Sequence, residues 1–153
     1  MRLAAPLAIA ALAAAAALPA SAQFAKPEDA VKYRQSALFV MSQHFARIGA
    51  MANDKVPYDA KAAIENAEIV DQMARLPWAG FVAGTDKLPN VTTKAKSEIW
   101  TEQVKFKEHN EKLLSETPKL VAAAKTNNLD NLKTAFKSTG AACKSCHDDF
   151  RNK

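Results

Sequence analysis

The only two cysteines of this 153-residue chain stand three positions apart near its end, in Cys143-Lys144-Ser145-Cys146-His147. On a helix, positions i, i+3 and i+4 share one face, so both thiols and the imidazole can address a single flat ligand. Cys-x-x-Cys-His is the spacing of covalent c-type haem attachment, with a thiol for each of two porphyrin vinyl groups and a histidine for the iron. A redox dithiol would call for a βαβ context and a zinc site for a fourth ligand, and the surrounding sequence supplies neither. The motif also continues an apolar stripe, Leu129, Leu132, Phe136, Cys143 and Phe150. A haem attached there belongs inside a helical core.

The opening residues have the layout of a secretory leader: basic Arg2, an apolar run from Leu3 to Leu18, and Ala20-Ser21-Ala22 as a small-residue cleavage site. Residues 1–22 are therefore expected to be a signal peptide, with the mature domain spanning 23–153. The apolar run falls short of the ~18 residues wanted for a membrane span, so no membrane association is expected after cleavage. Thioether formation requires free thiols to meet haem in an exported compartment, which points to the periplasm. Removing 22 of 153 residues leaves 131, one ordinary domain. The formal charge of +5 includes Arg2, the one charge lost with the leader. Such a mild lysine-rich excess can steer an acidic redox partner, whereas no basic block interleaved with aromatics argues for nucleic acid.

Few glycines, many alanines and no alternating β-branched runs make the mature chain all-helical. Pro27, Glu28 and Asp29 mark a first helix whose Val31, Leu38, Phe45 and Ala52 recur at sevens. Arg34 interrupts that stripe, with Gln35 beside it. It either snorkels to water or offers its fork to a haem propionate. Asp59 can cap a second helix, expected to end at Leu76 because Pro77 follows. Trp78 and Phe81 then share one side of a short turn, as core filling or as packing for a porphyrin edge. Residues 85–96 read as the longest loop. Ser97 can cap a third helix carrying Ile99, Phe106, Leu113 and Leu120, with Pro118 expected to kink or divide it. Asn128 or Asp130 can cap the fourth. Four such stretches make an antiparallel up-down-up-down four-helix bundle with haem in its core.

A four-helix chain ending in this motif resembles the class II c-type cytochromes, in particular the beta-proteobacterial cytochrome c′ group. The resemblance is carried by AKPEDAVKYRQSAL from Ala25 to Leu38, LPWAGF from Leu76 to Phe81, EIW from Glu98 to Trp100, and GAACKSCHDDFR from Gly140 to Arg151. The loop between Thr85 and Ser97, and Pro118, depart from the family pattern. The resemblance implies one haem c bound through Cys143 and Cys146, with His147 as axial ligand and Leu38 covering the opposite face. It places Arg34 and Gln35 near the propionates, Trp78 and Phe81 in the pocket, and Arg151 one turn beyond the histidine. It also implies a homodimer, for which Tyr33, Phe39 and Val40 on the first helix can supply a surface.

Function then turns on whether the iron has five ligands or six. Met41, Met51, Met73, His44 and His109 are the possible sixth ligands, and Met41, one turn beyond Leu38, is the serious one. The match of the surrounding segment favours Leu38 over the iron. The resulting expectation is a periplasmic, five-coordinate haem protein that binds nitric oxide, and carbon monoxide less readily, at a crowded apolar site. The alternative is a six-coordinate electron-transfer cytochrome using a methionine. No distal histidine and arginine pair suggests an enzyme.

Overall fold

The computed structural model describes residues 23–153, so the leader expected over residues 1–22 lies outside them. Helix α1, Pro27–Ala52, starts on Pro27 with Glu28 and Asp29 in its first turn, where a proline loses no needed N–H and acids meet the positive dipole end. On its apolar stripe Val31 and Ile48 are fully buried, while Leu38 and Phe45 are half-buried. Helix α2, Ala60–Ala74, is capped by Asp59, whose carboxylate accepts from the Ala62 amide at 3.0 Å.

Two boundaries differ from the sequence expectation. Helix α2 stops at Ala74 rather than Leu76: the Arg75 and Leu76 amides already bond three residues back, and Pro77 has no N–H to continue. Leu76 keeps helical angles, φ −85° and ψ −43°, so the chain tightens into a 3-10 turn over Pro77–Gly80 instead of straightening. Ser97 does not act as an N-cap; its backbone is helical and its hydroxyl points at Glu98. A single turn, α3 (Glu98–Thr101), follows, and Glu102 at φ −110° and ψ 48° separates it from α4, Gln103–Lys125. The interruption thus falls near the helix start, while Pro118 sits inside α4 without dividing it. Helix α5, Leu129–Phe150, is capped by Asn128, whose carbonyl oxygen accepts from the Asp130 and Asn131 amides at 2.9 and 3.1 Å.

All regular structure among the described residues is helical apart from two isolated bridges. α1 packs on α2, α2 on α4 and α4 on α5, giving the antiparallel four-helix bundle, with α3 as an extra turn. Alanines at 63, 67 and 74 let α2 approach its neighbours closely, and Ile48, Val70, Leu120 and Leu132 fill the space between. Full burial of each of those larger side chains is worth about 1.5–3 kcal/mol.

The seam between α1 and α5 is the sparsest of the four. The loop over residues 82–97 straps these two helices together. At one side Gln35 donates to the Thr92 carbonyl at 2.8 Å and Arg34 to the Thr93 hydroxyl at 3.1 Å. At the other, the Lys96 amide donates to the Phe150 carbonyl at 3.0 Å and the Asn152 amide to the Lys94 carbonyl at 2.8 Å. The Lys96 ammonium completes the join on the Asp148 and Asp149 carbonyls, at the end of α5 where the helix dipole favours a cation.

Candidate haem site

The open seam leads into a cavity of about 590 Å³, inside the ~300–1,000 Å³ range of cofactor sites. All nine residues picked from the sequence line it: Arg34, Gln35 and Leu38 from α1, Trp78 and Phe81 from the 3-10 turn, Cys143, Cys146 and His147 from α5, and Arg151 just beyond. Met41, Phe45, Val70 and Leu113 make much of the rest of the wall apolar.

The last two turns of α5 place Cys143, Cys146 and His147 on one face, as i, i+3 and i+4 require. Both thiols are half-buried, and His147 is exposed at the rim. Burial raises the Cys143 thiol above its ordinary pKa, and burial together with Cys143 and Asp149 pushes Cys146 up to about 11. Both sulfurs therefore carry their hydrogens at neutral pH, and thioether formation adds S–H across a carbon–carbon double bond. Partial burial, and then the charge of Arg151, hold the His147 imidazole below its usual value. That favours the neutral ring a metal requires.

Arg34 is 2 % exposed and commits its fork to the protein. It donates to the Gly80 carbonyl and the Thr85 carbonyl at 2.8 Å each, and to the hydroxyls of Thr85 and Thr93. Its carbon lies 4.9 Å from the centre of the Phe81 ring. Burial lowers its pKa, with Asp86 opposing. No carboxylate lies within ion-pair distance among the described residues, so neutral acceptors and the Phe81 ring, rather than a salt bridge, hold this buried cation. Nearby, Trp78 and Phe81 stack at 6.1 Å, and both meet Phe106 edge-on at 5.6 and 5.0 Å. Phe106 in turn meets Phe150 at 5.4 Å, which extends an aromatic wall from the 3-10 turn to α5.

Of the possible sixth ligands, Met41 and His109 line the cavity, whereas Met51, Met73 and His44 do not. His44 bonds Asn66 at 2.8 Å. Sequence reasoning missed Thr93, Lys94 and Ala95, which form part of the rim. A loop without periodicity gives no signal for them. It also missed the pairing of His109 with Asp149, two residues 40 apart.

Two thiols and an imidazole on one face of a roomy, largely apolar cavity fit a porphyrin that has two vinyl groups and an iron. The fold and this donor set define a c-type haem protein built on a four-helix bundle. The cytochrome c′ family model matches residues 29–151. Cytochromes c′ from Rubrivivax gelatinosus and Alcaligenes xylosoxydans xylosoxydans are each 44 % identical over 131 residues, covering 86 % of this chain and 100 % and 99 % of theirs. The crystal structure of the Rubrivivax gelatinosus protein superposes with a TM-score of 0.80 at 44 % identity, over 85 % of this chain and 100 % of that one. A nitric oxide complex of a leucine-to-alanine mutant of the Alcaligenes xylosoxidans protein gives 0.78 at 43 % identity, over 86 % and 99 %. The chain belongs to the cytochrome c′ family, and its cofactor is one covalently bound c-type haem.

Proposed function

We propose that this is a periplasmic cytochrome c′ that binds nitric oxide, and carbon monoxide less readily, on the face of the haem opposite His147. Cys143 and Cys146 would anchor the group through thioethers, His147 would supply the iron's protein ligand, and Leu38 would line the cavity where a small ligand enters. When bound, the haem supplies an iron atom with an axial position for a small ligand.

The observation that carries this reading is the engagement of the hydrogen-bond donors on the α1 wall. Arg34 and Gln35 donate to the 3-10 turn and the loop. Ser42 donates to the Phe39 carbonyl at 2.7 Å, and across the cavity Thr139 donates to the Ala135 carbonyl at 2.9 Å. What remains beside Leu38 carries no hydrogen-bond donor: the thioether of Met41 and the hydrocarbon of Phe45 and Val70. Dioxygen relies on a distal donor to be held, and nitric oxide and carbon monoxide do not, so such a wall discriminates among the gases. The nitric oxide complexes of structural neighbours support the same reading.

Met41 on the cavity wall supports a second reading, an electron-transfer cytochrome with sulfur on the iron. An absorption spectrum of the purified holoprotein separates the two. A high-spin ferric spectrum that shifts on adding nitric oxide, unaltered by Met41→Leu, is expected. A low-spin spectrum with a methionine-to-iron charge-transfer band, lost in Met41→Leu, would establish redox shuttling instead.

A further inference from the structure

The haem-bearing turn of α5 is held from behind by one imidazole of α4. His109 Nε2 lies 2.8 Å from Asp149 Oδ2, and its Nδ1 is in longer contact with Ser145 Oγ at 3.4 Å. Ser145 and Asp149 are four residues apart and flank Cys146 and His147, so one ring straddles the part of the motif that carries the second thioether and the iron ligand. Lys105, one turn before His109 on α4, grips the same Asp149 carboxylate at 3.1 Å. Phe150 closes the remaining side edge-on, 5.7 Å from the imidazole centre. With its side chain 13 % exposed, His109 is fixed in place while also lining the cavity.

Both ring nitrogens of His109 face groups on α5, Nε2 at hydrogen-bond distance and Nδ1 in the longer contact. The contacts persist in either protonation state. The neutral ring donates from Nε2 to the carboxylate and accepts the serine hydroxyl at Nδ1; the cation donates from both. Such a clasp fixes the rotation and height of the motif turn relative to α4, and with them the aim of the His147 ring.

We propose that His109 is a positioning residue for the haem: acting through Ser145 and Asp149, it sets the orientation in which His147 and Cys146 meet the cofactor. The proposal rests on the covalent haem alone and is independent of which gas binds.

The test compares holoprotein variants by ferric electron paramagnetic resonance and spectroelectrochemical potential. His109→Leu keeps bulk and removes both contacts. It is expected to broaden or split the single haem signal and to move the one-electron equilibrium about tenfold, ~59 mV, the lower end of what outer-shell partners contribute. His109→Gln, with an amide that can still bond Asp149, is expected to restore most of the native signal and potential. An unchanged signal and potential in His109→Leu, whatever its melting temperature, would overturn the proposal. So would equal disturbance in the leucine and glutamine variants, which would make ring volume the cause. If His109→Leu fails to take up haem, Asp149→Ala is read in its place: a disturbed signal supports the clasp, and a native one refutes it.

Discussion

Replacing Arg34 by methionine keeps an unbranched stem in the core and removes every donor the side chain carries. The Gly80 and Thr85 carbonyls then lose their buried partner, as do two threonine hydroxyls. Each stranded carbonyl costs about 1–3 kcal/mol, or ~2–6 for the pair. Relief of the desolvated cation offsets part of this, leaving a loss of about 3 kcal/mol. A domain of this size converts that into a drop of about 10 °C in melting temperature. Thermal unfolding of the holoprotein, followed by far-ultraviolet circular dichroism, measures it. The loop over residues 82–97 should also lose protection from hydrogen exchange, because Arg34 is one of its two ties to α1. Arg34→Lys keeps the charge but presents its donors from one atom, and should recover only part of the loss. A drop in Arg34→Met of less than about 2 °C, within the range of neutral surface changes, would refute the reasoning and leave the guanidinium free for a propionate.

Four other outcomes are expected. Gly80→Ala places a methyl group 2.6 Å from the Ala30 carbonyl oxygen and 2.8 Å from Arg34 Cβ. The backbone of α1 cannot yield there, so denaturant unfolding should show a loss of about 1–3 kcal/mol. Pro118→Ala supplies an amide to the interior of α4 at an exposed position and should stabilise the fold by ~1–3 kcal/mol in the same assay. Lys119 and Lys112, at 2.9 and 3.1 Å, hold the Glu116 carboxyl below its ordinary 4.5. A carboxylate lowered in the folded state stabilises above its unfolded pKa and loses that contribution as pH falls through the folded one. Melting temperature should thus decline below about pH 4.5, and Glu116→Gln should flatten the decline. Leu38→Ala opens the α1 wall and should speed carbon monoxide recombination after flash photolysis about tenfold or more, ~1.4 kcal/mol off the entry barrier; an unchanged rate would show that Leu38 is not the gate.

What could be read from the sequence was whatever has a period or a fixed spacing. Heptad columns such as Val31, Leu38 and Phe45 announce a helix and its inward face, because 3.6 residues per turn ties spacing to direction. The motif announces its cofactor because two thiols and an imidazole must share a face. Local rules did less well where a choice depended on distant partners. Ser97 offers a cap, yet the chain spends one turn in α3 before Glu102 releases it into α4. Pro118 offers a break, yet Leu113, Thr117 and Leu120 are buried on both sides of it, and that packing holds the helix together at a cost of one backbone bond.

Arg34 shows why a site is harder to read than a fold. The sequence exposes its oddity, a cation on an apolar stripe, and in a haem protein that oddity suggests a propionate. The structure adds what spacing cannot: the acceptors come from residues 46, 51 and 59 positions away. The same side chain that lines the cavity also fastens the 3-10 turn bearing Trp78 and the loop bearing Thr93 to α1. Cavity wall and loop strap are therefore one assembly, and a change that frees the guanidinium for the cofactor must loosen the rim that surrounds it.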